Sequence, residues 1–157
     1  ALANPLVNSY KRLTAGCEAP CCLAWSSANR SALIRIPVPL GQGTRVELRS
    51  PDPACNPYLT LAACLAAGLD GIRRELTPPP EIAGNLYDMP TEELAARRIR
   101  NLPASLEDAL RAMEADPVAL EALGPCAGRY LEDKRREWEE YRAQVTQWEL
   151  DRYLVAW

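Results

Sequence analysis

The chain has 157 residues, 48% of them apolar and 25% charged, with a net charge of -3. That is enough chain for one domain with a real core. It offers no basic surface for nucleic acid and no apolar stretch long enough to span a bilayer. There is no histidine anywhere, so Ser-His and Cys-His catalysis and histidine metal ligands are excluded within this chain. The opening residues, ALANPLVNSYKRL, lack the charged start and apolar centre of a signal peptide and lack a starting Met. They read as a cut point inside a longer protein or as a processed end.

Residues 1–20 read as irregular, broken by Pro5, Gly16 and Pro20. CCLAWS, residues 21–26, predicts a short strand, and Ser27 to Arg30 a polar connection. From Leu33 to Val38 apolar residues alternate, with Ile34, Ile36 and Val38 on one face and Arg35 on the other. Pro37 and Pro39 confine that strand to an edge or an end. Gly41-Gln42-Gly43 reads as a turn into a second strand, which completes a hairpin. In that strand Val46 and Leu48 share one face, while Arg45, Glu47 and Arg49 line the other.

Asn56-Pro57 predicts a helix start, with Asn as N-cap and Pro at the first helical position. The run YLTLAACLAAGLDGIRREL is apolar nearly all round and reads as a buried helix, with Gly68 admitting a close neighbour. Thr77 and the three prolines after it end it. A connector from 81 to 104 follows, with a short helix from Thr91 to about Arg98. Ser105 and Asp108 fit a capping box opening a helix to about Ala115. Another short helix runs from Pro117 to Leu123, and residues 127–143 form a charged amphipathic helix. Glu132 and Arg136 are spaced to support it. Trp138, Tyr141, Val145 and Trp148 extend its apolar stripe toward an aromatic tail of Tyr153, Leu154 and Trp157. The predicted class is α+β, with short antiparallel strands in the first third and helices after.

The six cysteines stand at 17, 21, 22, 55, 64 and 126. Their spacing matches no usual zinc pattern, and Cys64 sits in an apolar helical run, so they read as reduced, mostly buried thiols of a cytoplasmic protein. Chemistry must then rest on carboxylates, Arg, Lys, Tyr, Cys or backbone groups. Before the helix at 56, the cations Lys11, Arg12, Arg30, Arg35, Arg45 and Arg49 surround the acids Glu18, Glu47 and Asp52. Arginines facing one way suit a phosphate or carboxylate, which guanidinium forks bind bidentately. A single carboxylate among them suits a divalent cation bridging phosphate oxygens. The same pattern also describes a solvated strand face laced with surface ion pairs, worth about 0–1 kcal/mol each, and spacing alone favours that commoner arrangement. The chain has no GxxxxGK[ST] loop and no GxGxxG.

In order along the chain, NPLVNSYKRL, GCEAP, NRSALIRIP, RVELRSPDPACNPYL and AAGLDGI resemble the C-terminal signature of type I glutamine synthetases. NLYDMP, residues 85–90, and the charged ending match more loosely. The resemblance covers almost the whole chain, 1–157. It implies the C-terminal portion of the catalytic domain, without the N-terminal β-grasp domain and the first part of the catalytic domain. It implies an enzyme that phosphorylates glutamate with ATP and lets ammonia attack the γ-glutamyl phosphate. Magnesium or manganese serves as the metal, in a cytoplasmic homo-oligomer, a dodecamer of stacked rings.

The resemblance also implies roles for individual residues. Arg12 pairs with a carboxylate of glutamate. Glu18, on a flap, closes the site and helps deprotonate ammonium. Arg30 and Arg35 serve the ATP phosphates and the transferring phosphoryl group, and Arg45 is a further nucleotide-side arginine. Glu47 is a metal ligand. Arg30 and Arg49 face the substrate and the phosphoryl group. Tyr87 aligns with a tyrosine that some bacterial members adenylylate, and a packing role on the connector is the alternative. Departures fall at Cys17, where an aromatic residue is more usual, at Ala15, where Pro is, at Cys21-Cys22, and in the short loop from Gly41 to Thr44. Such a segment alone is expected to be inactive. The alternatives are a ligase joining glutamate to amines or polyamines, and a non-catalytic interaction module.

Overall fold

The computed structural model describes residues 1–14, 19–37, 43 and 45–154. The first third is built around three two-residue strands, β1 (Trp25–Ser26), β2 (Ile34–Arg35) and β3 (Glu47–Leu48), in the order β1-β2-β3. The hairpin is antiparallel, with Ile34 opposite Leu48 and Arg35 opposite Glu47. β1 pairs with β2 in parallel, a departure from the all-antiparallel expectation. Residues 27–33 carry the chain round in a loop fixed by side chains: Asn29 Oδ1 accepts from the Ser31 backbone N–H at 2.8 Å and from its hydroxyl at 2.7 Å. Short polar side chains offering such local bonds divert the backbone from regular ladders. β2 ends before the buried Pro37. Val38, most of the predicted glycine turn, Cys17 and Trp157 lie outside the described residues. The opening stretch is not wholly irregular, since Val7–Lys11 form a 3₁₀ turn.

Among the described residues six α-helices follow: α1 (Pro57–Arg73), α2 (Thr91–Ala96), α3 (Leu106–Glu114), α4 (Pro117–Leu123), α5 (Ala127–Arg142) and α6 (Gln147–Tyr153). Their starts follow side-chain chemistry. Asn56 accepts from the Tyr58 and Leu59 N–H groups, Ser105 from that of Asp108, and Asp116 from those of Val118 and Ala119. Each satisfies N–H groups that a helix start leaves unpaired. The expected result for Asn56→Ala is a loss of about 1 kcal/mol in urea unfolding, with no change in far-ultraviolet dichroism before the transition. A loss within error would show that the cap is redundant.

The core has two parts. One gathers Leu2, Tyr10 and Leu13 of the opening segment around Leu106, Ala109, Leu110 and Met113 of α3, Leu123 of α4 and Leu131 of α5. The other packs Cys22, Ala24 and Ala32 against Ile82 and Leu86 of the connector. Backbone pairing joins the connector's far end to the sheet region, where the N–H of Leu23 donates to the Arg100 carbonyl and that of Leu102 to the Cys21 carbonyl.

Several expectations fail here, and for physical reasons. α1 is not buried. Its inner side packs on α4, but Tyr58, Leu61, Leu65, Leu69 and Ile72 form a ridge facing solvent, Leu65 being 67% and Ile72 75% exposed. A Cβ added at Gly68 would meet no neighbouring element within 4 Å among the described residues. An all-round apolar helix needs two partners, and the described residues supply one. The helix ends at Arg73, earlier than expected, and Glu75 turns the chain at φ 51°. Of the five described cysteines only Cys22 is buried, while Cys64 and Cys126 are exposed and all five are free thiols. Burial pushes the Cys22 thiol up to about 11. The α5 stripe does not run to the end. α5 stops at Arg142, and a Thr146–Glu149 capping box starts α6 anew. Val145, Trp148, Tyr153 and Leu154 are exposed. Arg136 pairs with Asp133 at 2.7 Å, not with Glu132.

Candidate active site

The hairpin register decides the first contact. With Arg35 opposite Glu47, the two side chains meet on one face, and Arg35 Nη1 lies 3.1 Å from Glu47 Oε2. Glu47 Oε1 takes Arg45, at 2.9 Å from Nε and 2.8 Å from Nη2. One carboxylate therefore holds two guanidiniums, one to each oxygen, and period-two geometry accounts for Arg45 and Glu47 sharing a face.

Beside this cluster, Arg30, Arg35, Arg49 and Tyr87 line one cleft of about 290 Å³. Arg30 comes from the loop between β1 and β2. Arg49 follows β3 and makes a single weak bond, Nη1 to the Ala32 carbonyl at 3.4 Å. Arg30 forms no side-chain hydrogen bond or ion pair among the described residues. Its loop is fastened to the connector: the Leu86 N–H donates to Ser31 Oγ at 2.8 Å, and the Asn29 amide donates to the Gly84 carbonyl. Sequence reasoning missed this fastening and the place of Tyr87 in the cleft. The signal was present, since Asn and Ser flank Arg30, but their partners lie some 55 residues away.

Arg12 sits outside the cleft. Its Nη2 donates to the Ser50 carbonyl, to that of Pro51 at 3.1 Å and to Asn4 Oδ1 at 3.5 Å. The neighbouring Tyr10 anchors this stretch, its hydroxyl donating to the Asn4 carbonyl at 2.8 Å, and burial raises its pKa well above the ordinary tyrosine value. Among the described residues, the buried side-chain N–H groups without a partner belong to Arg12 and Arg35, at Nε in each. An unmet buried donor costs roughly 1–3 kcal/mol, so neither guanidinium is fully satisfied by the protein. Glu18 lies outside the described residues. No group of three acidic or cysteine side chains able to hold a metal occurs among the described residues. No helix among them is long and apolar enough to cross a membrane.

A cleft walled by three arginines next to a doubly paired carboxylate is built for anions. Residues 1–153 match the family model for the glutamine synthetase catalytic domain.

The chain belongs to the glutamine synthetase family.

It is 57% identical to a glutamine synthetase of Thermus thermophilus over its whole length, covering 35% of that protein. It is 52% identical to one from Clostridium saccharobutylicum over 98% of this chain and 35% of that protein. It is 49% identical to one from Methanocaldococcus jannaschii over 99% of this chain and 34% of that protein. A solved structure described as a GmaS/ADP complex superimposes with a TM-score of 0.85 at 41% identity, over 98% of this chain and 35% of that one. Another, described as apo GmaS, gives 0.79 at 40% identity, over 98% of this chain and 34% of that one. The chain thus spans about a third of the relatives it matches, their C-terminal part.

Proposed function

We propose that this segment supplies the phosphoryl-facing wall of an ATP-dependent glutamate–ammonia ligase. In that reaction ATP phosphorylates the γ-carboxylate of L-glutamate. Ammonia then displaces inorganic phosphate from the γ-glutamyl phosphate to give L-glutamine. The observation that carries this reading is the convergence of Arg30, Arg35 and Arg49 on one cleft beside Glu47. Phosphoryl transfer is catalysed chiefly by positioning and by charge placed around the moving group, and three guanidiniums with few internal partners provide such charge. A relative solved with ADP supports the nucleotide side of the reading.

In this reading Arg35 and Arg45 face the nucleotide, and Arg30 and Arg49 face the transferring phosphoryl group and the substrate. Arg12 faces a glutamate carboxylate, and the flap residue Glu18 closes the site and takes a proton from ammonium. Excluding water protects the acyl phosphate from hydrolysis. Glu47 fits as a single oxygen ligand for magnesium or manganese, which use few carboxylates alongside water and phosphate oxygens; that ion, when bound, neutralises charge on the phosphates. Among the described residues no group of three His, Cys, Asp or Glu side chains could hold a metal, so in this reading Glu47 needs further ligands from outside the matched third of the relatives. Active sites completed in a ring-shaped homo-oligomer, in the cytoplasm, follow the family expectation. Tyr87 is the residue that adenylylation would modify in this reading, although it is half-buried in the arginine cleft.

The test compares the 157-residue chain with a full-length protein carrying it. The chain alone is expected to form no glutamine from glutamate, ATP and ammonia, and the full-length protein to form it. Glu47→Ala in the full-length protein is expected to weaken activation by magnesium and to lower turnover by about two orders of magnitude, on the scale of losing one electrostatic contact to the transition state. Wild-type magnesium dependence in that variant would refute the assignment of Glu47. Assays with primary amines in place of ammonia distinguish the acceptor.

A further inference from the structure

A second cavity, of about 540 Å³, shares no lining residue with the arginine cleft. That falls within the roughly 300–1,000 Å³ typical of small-molecule sites. Leu23, Ile82, Ile99 and the prolines 79 and 80 give it apolar walls, and Arg97, Arg98 and Arg100 stand at it. Its one acidic side chain, Glu81, is occupied elsewhere. That carboxylate accepts from the Ser27 hydroxyl at 2.5 Å and the Ser27 N–H at 2.7 Å, bonds that hold its pKa below the ordinary value. Arg97 is paired with Glu93 at 2.6 Å. Arg98 and Arg100 have no side-chain partner among the described residues.

Two backbone features build this cavity. Arg98 adopts φ 56°, a left-handed conformation that a non-glycine residue takes at a cost and keeps only where its surroundings impose it. This turn, closing α2, brings residues 99–100 back along the strand edge, where the Arg100 carbonyl accepts the Leu23 N–H at 2.7 Å. The facing wall is fixed by Trp25, whose indole N–H donates to the Pro79 carbonyl at 2.7 Å, and by the Ile82 N–H, which donates to the Trp25 carbonyl at 3.1 Å. The cavity is therefore a gap between two segments docked on one strand edge, with an apolar interior and unneutralised cations at its mouth.

We propose that this cavity binds a small organic monoanion with an apolar body, a carboxylate whose tail lies between Leu23, Ile82 and Ile99 and whose head is held by Arg98 and Arg100. Guanidinium forks match carboxylates bidentately, and apolar walls with a few placed polar groups are the usual make-up of such sites. The site is separate from the phosphoryl cleft. Its Glu81 wall, however, belongs to the same connector that fastens the Arg30 loop through Gly84 and Leu86. An occupant therefore bears on the element that positions Arg30.

The test is an amide NMR titration of the 157-residue chain with octanoate, with octylammonium as a probe of equal tail and opposite charge. Saturable octanoate shifts are expected at Leu23, Ala24, Ile82, Ile99 and Arg100, with none from octylammonium at those amides. Arg98→Gly with Arg100→Gln, which keeps the left-handed turn accessible and removes both charges, is expected to weaken octanoate at least tenfold. Failure to saturate at those amides overturns the proposal, as do equal shifts from octylammonium or a loss smaller than tenfold in the double variant. This binding readout does not depend on ligase activity, so its failure leaves the proposed reaction standing.

Discussion

Replacing Arg49 by alanine in a full-length protein carrying this segment is expected to lower kcat by about 10³-fold, the lower end of what a charge-stabilising arginine contributes in phosphoryl transfer. The fold gives little reason for any other effect. Arg49 makes one long bond to the Ala32 carbonyl and pairs with no carboxylate among the described residues, so its removal leaves no stranded acid. Arg49→Lys is expected to recover only part of the rate, because an ammonium keeps the charge but loses the planar fork. Steady-state kinetics of glutamine formation, with kcat separated from KM, provide the check. Unchanged kcat in Arg49→Ala would remove Arg49 from the reaction, and unchanged kcat in Arg30→Ala as well would remove the cleft.

The largest expected effect on stability comes from Leu106. It has no exposed surface and is the first residue of α3, where the opening segment meets α4 and α5. Leu106→Ala is expected to cost about 2–5 kcal/mol through lost transfer energy and the cavity left behind. For a chain of this size that corresponds to a fall of roughly 5–15 °C in Tm, readable by calorimetry. Leu65→Ala is the control. That side chain stands on the open ridge of α1, so truncating it is expected to change stability by less than about 0.5 kcal/mol. Equal losses at the two positions would contradict the burial pattern described.

Local rules made much of this legible. Caps at Asn56, Ser105 and Asp116 act within three residues, and the helices begin where those residues stand. The hairpin followed from two alternating segments around a glycine turn, and β2 and β3 do pair; that Arg35 falls opposite Glu47 came only with the structure. What resisted was non-local. Nothing near Arg30 announces Gly84 or Leu86 as its loop's supports. The parallel pairing of β1 with β2 depends on a loop conformation fixed by Asn29. Burial of α1 was misjudged because apolar periodicity states which faces want a partner, not whether the described chain supplies one. The arginine cleft was half legible: its charges were, but their convergence came only with the resemblance and then the geometry.

Glu47 is shared between Arg35 and Arg45. Arg35 and Arg45 therefore share one internal counter-ion, whereas Arg30 and Arg49 have no carboxylate partner among the described residues. In the proposed reaction an incoming polyanion would compete with Glu47 for Arg35 and Arg45, and the displaced carboxylate would become available to the cation that accompanies it. Loading is then a swap of partners among charges already in place, and side chains that must exchange partners need reorient only slightly.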